Sequence, residues 1–131
     1  MKLSDPVRSF LEQPLIARLS VIDDAGYPHT VPIWFARDGD DLMFFSSRTA
    51  RKIGHAQANP RGAVTVGGDP YGAEGYLLKG ELSIEEDPEN RWLSLITHRY
   101  EPNDLAEQHV AEWSKEDLVL MRFRPRKVIR V

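Results

Sequence analysis

The chain has no cysteine, so a disulfide framework, a thiolate nucleophile and a Cys-ligated zinc or iron–sulfur site are all excluded. No apolar run approaches the roughly 18 uncharged residues that a membrane helix needs. The first residues, Met1-Lys2-Leu3-Ser4-Asp5-Pro6, meet a charge and a proline at once, which is not the pattern of a signal peptide. There is no Gly-x-Ser-x-Gly, so a hydrolase has no motif behind it. The four histidines, His29, His55, His98 and His109, show no i, i+4 pair, and no metal site is expected. With 41% hydrophobic and 28% charged residues, the 131-residue chain reads as one globular domain spanning residues 1–131, and a cytoplasmic one.

Acid is missing from one place in particular. Between Leu42 and Gly68 there is no Asp or Glu, yet Arg48, Arg51, Lys52 and Arg61 fall there. Elsewhere 13 basic residues face all 20 acidic ones, so the chain carries a basic island in an acidic background. The net charge of −3 argues against nucleic acid, and the island suits a small anion better than a polymer.

Ser4-Asp5-Pro6 predicts a helix start, with Val7, Phe10 and Leu11 at helical spacing and Pro14 as its stop. Ile16–Ile22, Pro28–Arg37 and Leu42–Ser47 read as three strands joined by the turns Asp23-Asp24-Ala25-Gly26 and Arg37-Asp38-Gly39-Asp40, an antiparallel meander. Thr49–Ala58 switches to helical spacing and Asn59-Pro60 ends it. Ala63–Val66 and Tyr76–Glu85 return to strand, with Gly80 on the inward face, where a missing side chain admits a close neighbour. Helices follow over Trp92–Arg99 and Asp104–Trp113. Leu118–Phe123 and Lys127–Val131 read as closing strands around Arg124-Pro125. Strands do not alternate regularly with helices, which points to a small, mainly β barrel with helical insertions.

Two constellations carry chemistry. Phe44-Phe45-Ser46-Ser47-Arg48-Thr49-Ala50-Arg51-Lys52 places hydroxyls at a strand end, Thr49 as a candidate cap and two cations in the first turn of a helix. Free amides at a helix N-terminus attract an anion, and cations there oppose the helix dipole unless an anion sits among them. The alternative is a solvated basic face. The second constellation is Pro28-His29-Thr30-Val31-Pro32-Ile33-Trp34-Phe35, where proline inside a strand implies an edge or a bulge with backbone groups free for a planar ligand. Taken alone, the stretch is more simply a barrel-corner bulge with Trp34 in the core.

Together with Asp-Gly-Asp-Asp-Leu-Met-Phe-Phe-Ser-Ser, Ala-Arg-Lys and Asn-Pro-Arg-Gly-Ala-Val-Thr-Val, this stretch resembles the pyridoxamine 5′-phosphate oxidase-like flavin-binding split barrels, in order from about Leu15 to Ile84. The resemblance implies a six-stranded antiparallel split β-barrel that forms a homodimer, with FMN, or the deazaflavin coenzyme F-420, held between subunits. It places phosphate contacts on Ser46, Ser47, Arg51 and Lys52, to which the capping argument adds Thr49, and ring contacts on His29, Thr30, Val31 and Pro32. His29 and Trp34 stand where the true pyridoxamine phosphate oxidases carry basic residues, and the chain ends at Val131 without their longer C-terminal segment. The expectation is therefore an oxidoreductase of the shorter, often deazaflavin-using branch, acting on a small-molecule substrate. A non-enzymatic flavin-binding carrier, sensor or stress protein is the alternative. No catalytic residue is assigned, because a flavin carries the hydride chemistry itself.

Overall fold

Ser4 opens the first helix, its side-chain oxygen accepting the Val7 amide at 3.4 Å with Pro6 in the first turn. The computed structural model describes residues 1–131. Helix α1 (Asp5–Leu11) is followed by β1 (Ala17–Ile22), β2 (Pro28–Ile33), β3 (Ala36–Asp38), β4 (Asp41–Ser47), α2 (Arg51–Ala58), β5 (Arg61–Gly67) and β6 (Gly75–Glu85). A short 3-10 turn at Pro88–Asn90 then leads into α3 (Arg91–Tyr100), α4 (Asn103–Trp113) and β7 (Leu118–Arg130). No helix is long and apolar enough to cross a membrane.

The strands form one antiparallel sheet of seven, not six, in the order β2-β1-β5-β6-β7-β4-β3. Its two ends, β2 and β3, are consecutive in the chain, with only Trp34 and Phe35 between them. Laid flat, seven strands would set those ends roughly 28 Å apart. The link from Ile33 to Ala36 reaches about 11 Å at most. The sheet therefore curls until its ends approach, and because β2 and β3 do not pair, the barrel stays split at that seam.

Two expectations about strands change. Pro28–Arg37 is not one strand, because its first half pairs with β1 and its last part with β4, so the expected three-strand meander is two hairpins at opposite ends of the sheet. Leu118–Phe123 and Lys127–Val131 merge into the single strand β7, which takes up Pro125 by slipping register. Lys79 opposes Lys127 while Gly80 opposes Pro125, leaving Arg126 in a bulge. A Cβ on Gly80 would lie 2.1 Å from the Arg124 carbonyl oxygen, so the close approach expected there is met.

The barrel interior is filled from the inward faces of the strands: Ala17, Leu19 and Val21 of β1, Val64 and Val66 of β5, Tyr76, Leu78 and Leu82 of β6. Helix α1 adds Val7, Phe10 and Leu11, and α2 adds Ile53 and Ala56. Helix α3 covers the outside of the other half of the sheet, where Trp92 and Ile96 pack on Ala36, Met43 and Leu120. This explains the unbroken apolar run Leu42-Met43-Phe44, since β4 is buried on both faces. Arg122 of β7, mostly buried, binds Glu85 at 2.6 Å and Asp38 and Asp41 at 3.0 Å, tying the β3–β4 hairpin to the sheet.

One hydroxyl bridges the β2–β3 link and the chain before β1. Tyr100 donates to the Leu15 carbonyl at 2.7 Å and accepts the amide of fully buried Phe35 at 3.2 Å. Burial raises the phenol above its ordinary pKa of 10.0, so it stays protonated and able to donate. Replacing Tyr100 by Phe orphans a buried amide and a carbonyl, and should cost about 1–3 kcal/mol. Urea denaturation checks this; an unchanged midpoint would show that the link is held without the hydroxyl.

Candidate functional site

β2 is a terminal strand of the sheet, as Pro28 and Pro32 within it require, and one edge of its backbone pairs with nothing. His29 and Val31 point inward and are half-buried, and Val31 packs against the main core. Thr30 points the other way, its hydroxyl 2.7 Å from that of Ser20 on β1. Of the four expected ring contacts, Val31 and Thr30 thus have occupied side chains and offer only backbone. Pro32 lies in an apolar cleft.

The turn before α2 sorts the basic island. Arg48 is neutralised: its guanidinium binds Asp117 at 3.0 Å and Glu86 at 2.5 Å, which raises its pKa. Arg51, Lys52 and Arg61 have no carboxylate partner within 4.0 Å. Helix α2 begins one residue later than the capping argument required. Its N-cap is Ala50 with no side-chain bond, and the Thr49 hydroxyl instead meets Ser47 at 3.2 Å. The amides of Arg51 and Lys52 find no backbone acceptor. Ser46 is buried and donates to the Ser47 carbonyl at 3.0 Å. Lys52 is half-buried, and desolvation lowers its pKa.

Two clefts flank β2. At its start, a cleft of about 400 Å³ is lined by Asp23, Asp24, Ala25, His29, Arg51 and His55. At its end, one of about 380 Å³ is lined by Ile16, Pro32, Ile33, Trp34 and Phe45. Behind the second, Trp34 stacks on Tyr100 with centroids 5.0 Å apart, and Trp113 lies against both Trp34 and Phe45. Four residues of extended chain put the two clefts roughly 13 Å apart. The structure thus joins His29 of the strand constellation with Arg51 of the helix constellation. Ser46, Ser47, Thr49 and Lys52 do not line that cleft.

Sequence reasoning missed His55, Ile16 and Phe45 as lining residues. His55 was legible, since it follows Arg51 by four and shares its helix face. The other two depend on how the sheet curls, which no local pattern reports.

The sequence profile of the family described as pyridoxamine 5′-phosphate oxidase matches residues 3–131. No curated protein matches in sequence. Among solved structures, the chain is similar to an F-420 reductase, with 27% identity and a TM-score of 0.76 over 97% of this chain and 98% of that one. It is similar in fold to General Stress Protein 26 from Bacillus anthracis (20% identity, TM-score 0.70, 94% and 88% covered). The haem-storage protein HutZ from Vibrio cholerae also shares the fold, at 16% identity and TM-score 0.69, with 98% and 94% covered.

A half-buried ammonium without a counter-ion is a cost to the free protein. Its lowered pKa gives the sign: at neutral pH Lys52 is charged in both folded and unfolded chains, so the penalty is fully present. It fades as pH rises through the lowered folded value toward the ordinary 10.5. Lys52→Met should therefore stabilise the ligand-free protein by about 0.5 kcal/mol or more at pH 7. Denaturation at pH 7 and pH 10 reads both the gain and its narrowing; a destabilised variant would make Lys52 a structural residue.

Proposed function

The chain belongs to the pyridoxamine 5′-phosphate oxidase family, and from that membership and the clefts beside β2 we propose that it is a homodimeric oxidoreductase. It binds FMN, or coenzyme F-420 in its place, and passes a hydride to or from a small-molecule substrate. The reading is carried by one observation: an ionic cleft and an apolar, aromatic-backed cleft lie at the two ends of a single edge strand. A ligand with an anionic end, a flexible chain and a flat apolar end has that shape. The residues present fit the group. Arg51 and Lys52 lack carboxylate partners, the two amides that begin α2 are free, and the Lys52 ammonium already bears the cost of desolvation without an anion beside it.

When bound, the tricyclic ring supplies the redox chemistry. The chain's own residues bind and orient. Arg51 from the ionic cleft, and Lys52 from the same helical turn but outside that cleft's lining, would donate charge-assisted hydrogen bonds to phosphate oxygens, and the α2 amides would add to them. The free edge of β2 from His29 to Pro32 offers backbone donors and acceptors along the ligand. Ile16, Pro32, Ile33, Trp34 and Phe45 supply an apolar wall that keeps water from one side of the ring.

The homodimer belongs to the same reading. The apolar cleft is open in a single chain, Ile16 is 40% exposed, and β2 leaves a strand edge uncovered. A second copy would cover edge and cleft together. Sedimentation at micromolar concentration should give the mass of two chains, and a monomer would remove the second wall of the site.

Absorbance titration with FMN and with F-420, followed by equilibrium dialysis, tests the cofactor. Replacing Arg51 and Lys52 together by Ala should weaken binding by about 3–6 kcal/mol, two charged hydrogen bonds being lost. Equal affinity in the double variant would remove the phosphate from this site, and tight binding without turnover on any acceptor would make the protein a carrier.

A further inference from the structure

The aromatic cluster behind the apolar cleft ends on an acid. Tyr100 closes α3, and its ring stacks on Trp34 with centroids 5.0 Å apart and planes 4° from parallel. The next residue, Glu101, places both carboxylate oxygens on Nδ1 of His109 in α4, at 2.7 and 2.9 Å. His109 stacks in turn on Trp113, four residues along the helix, with centroids 4.4 Å apart and planes inclined by 12°. Trp113 then meets Trp34 at 6.3 Å and Phe45 at 6.0 Å, the two aromatic residues that line the cleft. Neither Glu101 nor His109 lines the cleft itself.

The Glu101 side chain is only 11% exposed, and His109 is the one partner of its carboxylate. Burying a carboxylate is costly even when it is paired. Apolar contact alone could join α3 to α4 without that cost. What an acceptor on Nδ1 adds is direction, since it keeps a proton on that nitrogen and fixes the plane of the ring. Trp113 is the last residue of α4, where no further helical turn brackets its side chain, and the stacked imidazole supplies the surface it lies on. The plane of His109 thus sets that of Trp113, and Trp113 and Tyr100 together fix Trp34.

We infer that Glu101 and His109 are positioning residues for the apolar cleft: the pair fixes Trp113, and through it the Trp34 and Phe45 wall against which a flat ring lies. This rests on the reading of that cleft as the place of the ring. Ring orientation is then controlled by a carboxylate–imidazole bond beyond the residues that touch the ligand. Such a supporting shell decides how closely the walls of a site hold their geometry.

The test uses riboflavin, whose ring carries no phosphate, beside FMN; F-420 replaces them if the wild type binds that ring alone. Flavin fluorescence reads affinity, visible circular dichroism reads the orientation of the bound ring, and near-ultraviolet circular dichroism of the free protein reads the tryptophans. Glu101→Met keeps the bulk of the side chain, and the imidazole it leaves behind can stay neutral, so no uncompensated charge is buried and the fold should persist. It should weaken riboflavin and FMN alike by roughly threefold to tenfold, the weight of one aromatic contact, leaving their affinity ratio unchanged. The tryptophan signal of the free protein and the visible band of the bound ring should both shrink, and His109→Ala should do the same. Glu101→Gln, whose amide oxygen still accepts from Nδ1, should restore all three. A tie that is structural only would lower the urea midpoint of Glu101→Met and leave the visible band of the bound ring as in the wild type, which overturns the positioning role. Glu101→Gln no better than Glu101→Met overturns it as well, because the hydrogen bond is then not what orients the ring. Both results leave the cofactor reading standing. Wild-type protein that binds none of the three ligands overturns the cofactor reading, and the positioning role with it.

Discussion

Trp34 and Phe35 join strands that lie at opposite ends of a seven-stranded sheet, and the rest of the molecule follows from that short link. Two residues cannot cross the breadth of a flat sheet, so the sheet must curl. Curling makes an inside, and the inward faces of β1, β4, β5, β6 and β7 fill it with helix α1. It also brings the start of β2 beside α2, where His29 comes close to His55. Since the two ends meet without pairing, one strand edge is left with free backbone groups next to an aromatic cluster. The Tyr100 hydroxyl, bonded to Phe35 in the link and to Leu15 just before β1, ties the link to the start of the sheet.

The same curl sets what could be read from the sequence. Local signals were sound: the Ser4 cap and the turns at Gly26 and Gly39 stand as the residues implied. Each depends on neighbours within a few positions. The count of strands differed, because Pro28–Arg37 looks continuous locally and only pairing partners divide it. β7 shows the reverse case. Arg124-Pro125 has the look of a break, but a bulge opposite Gly80 absorbs the proline, and that depends on a strand some forty residues away.

The site was legible to a similar depth. Absence of acid from Leu42 to Gly68 located the basic island, and the proline pair in β2 located the free edge. Which cations are available was hidden, because Asp117 and Glu86 reach Arg48 from far along the chain. Thr49 shows the limit of capping logic. The helix starts after Ala50, so a hydroxyl one residue too early turns back to Ser47. The uncapped start matters more than a cap would have, since it leaves the amides of Arg51 and Lys52 without an acceptor.

Stability and binding pull against each other at α2. Cations in the first turn of a helix oppose its dipole, and partial burial of Lys52 adds a desolvation cost. Arg48, three residues before Arg51, shows what the fold does with a cation it needs for structure: it supplies two carboxylates. The same chain leaves Arg51 and Lys52 unpaired although acidic residues outnumber basic ones. A surface that neutralises one arginine and not its neighbours three and four positions on is selective in where it places charge. An anion from outside the chain is the partner that would offset dipole, desolvation and repulsion at once. In that sense the unpaired cations and the uncapped helix are one feature, a set of donors placed by the curl of the sheet.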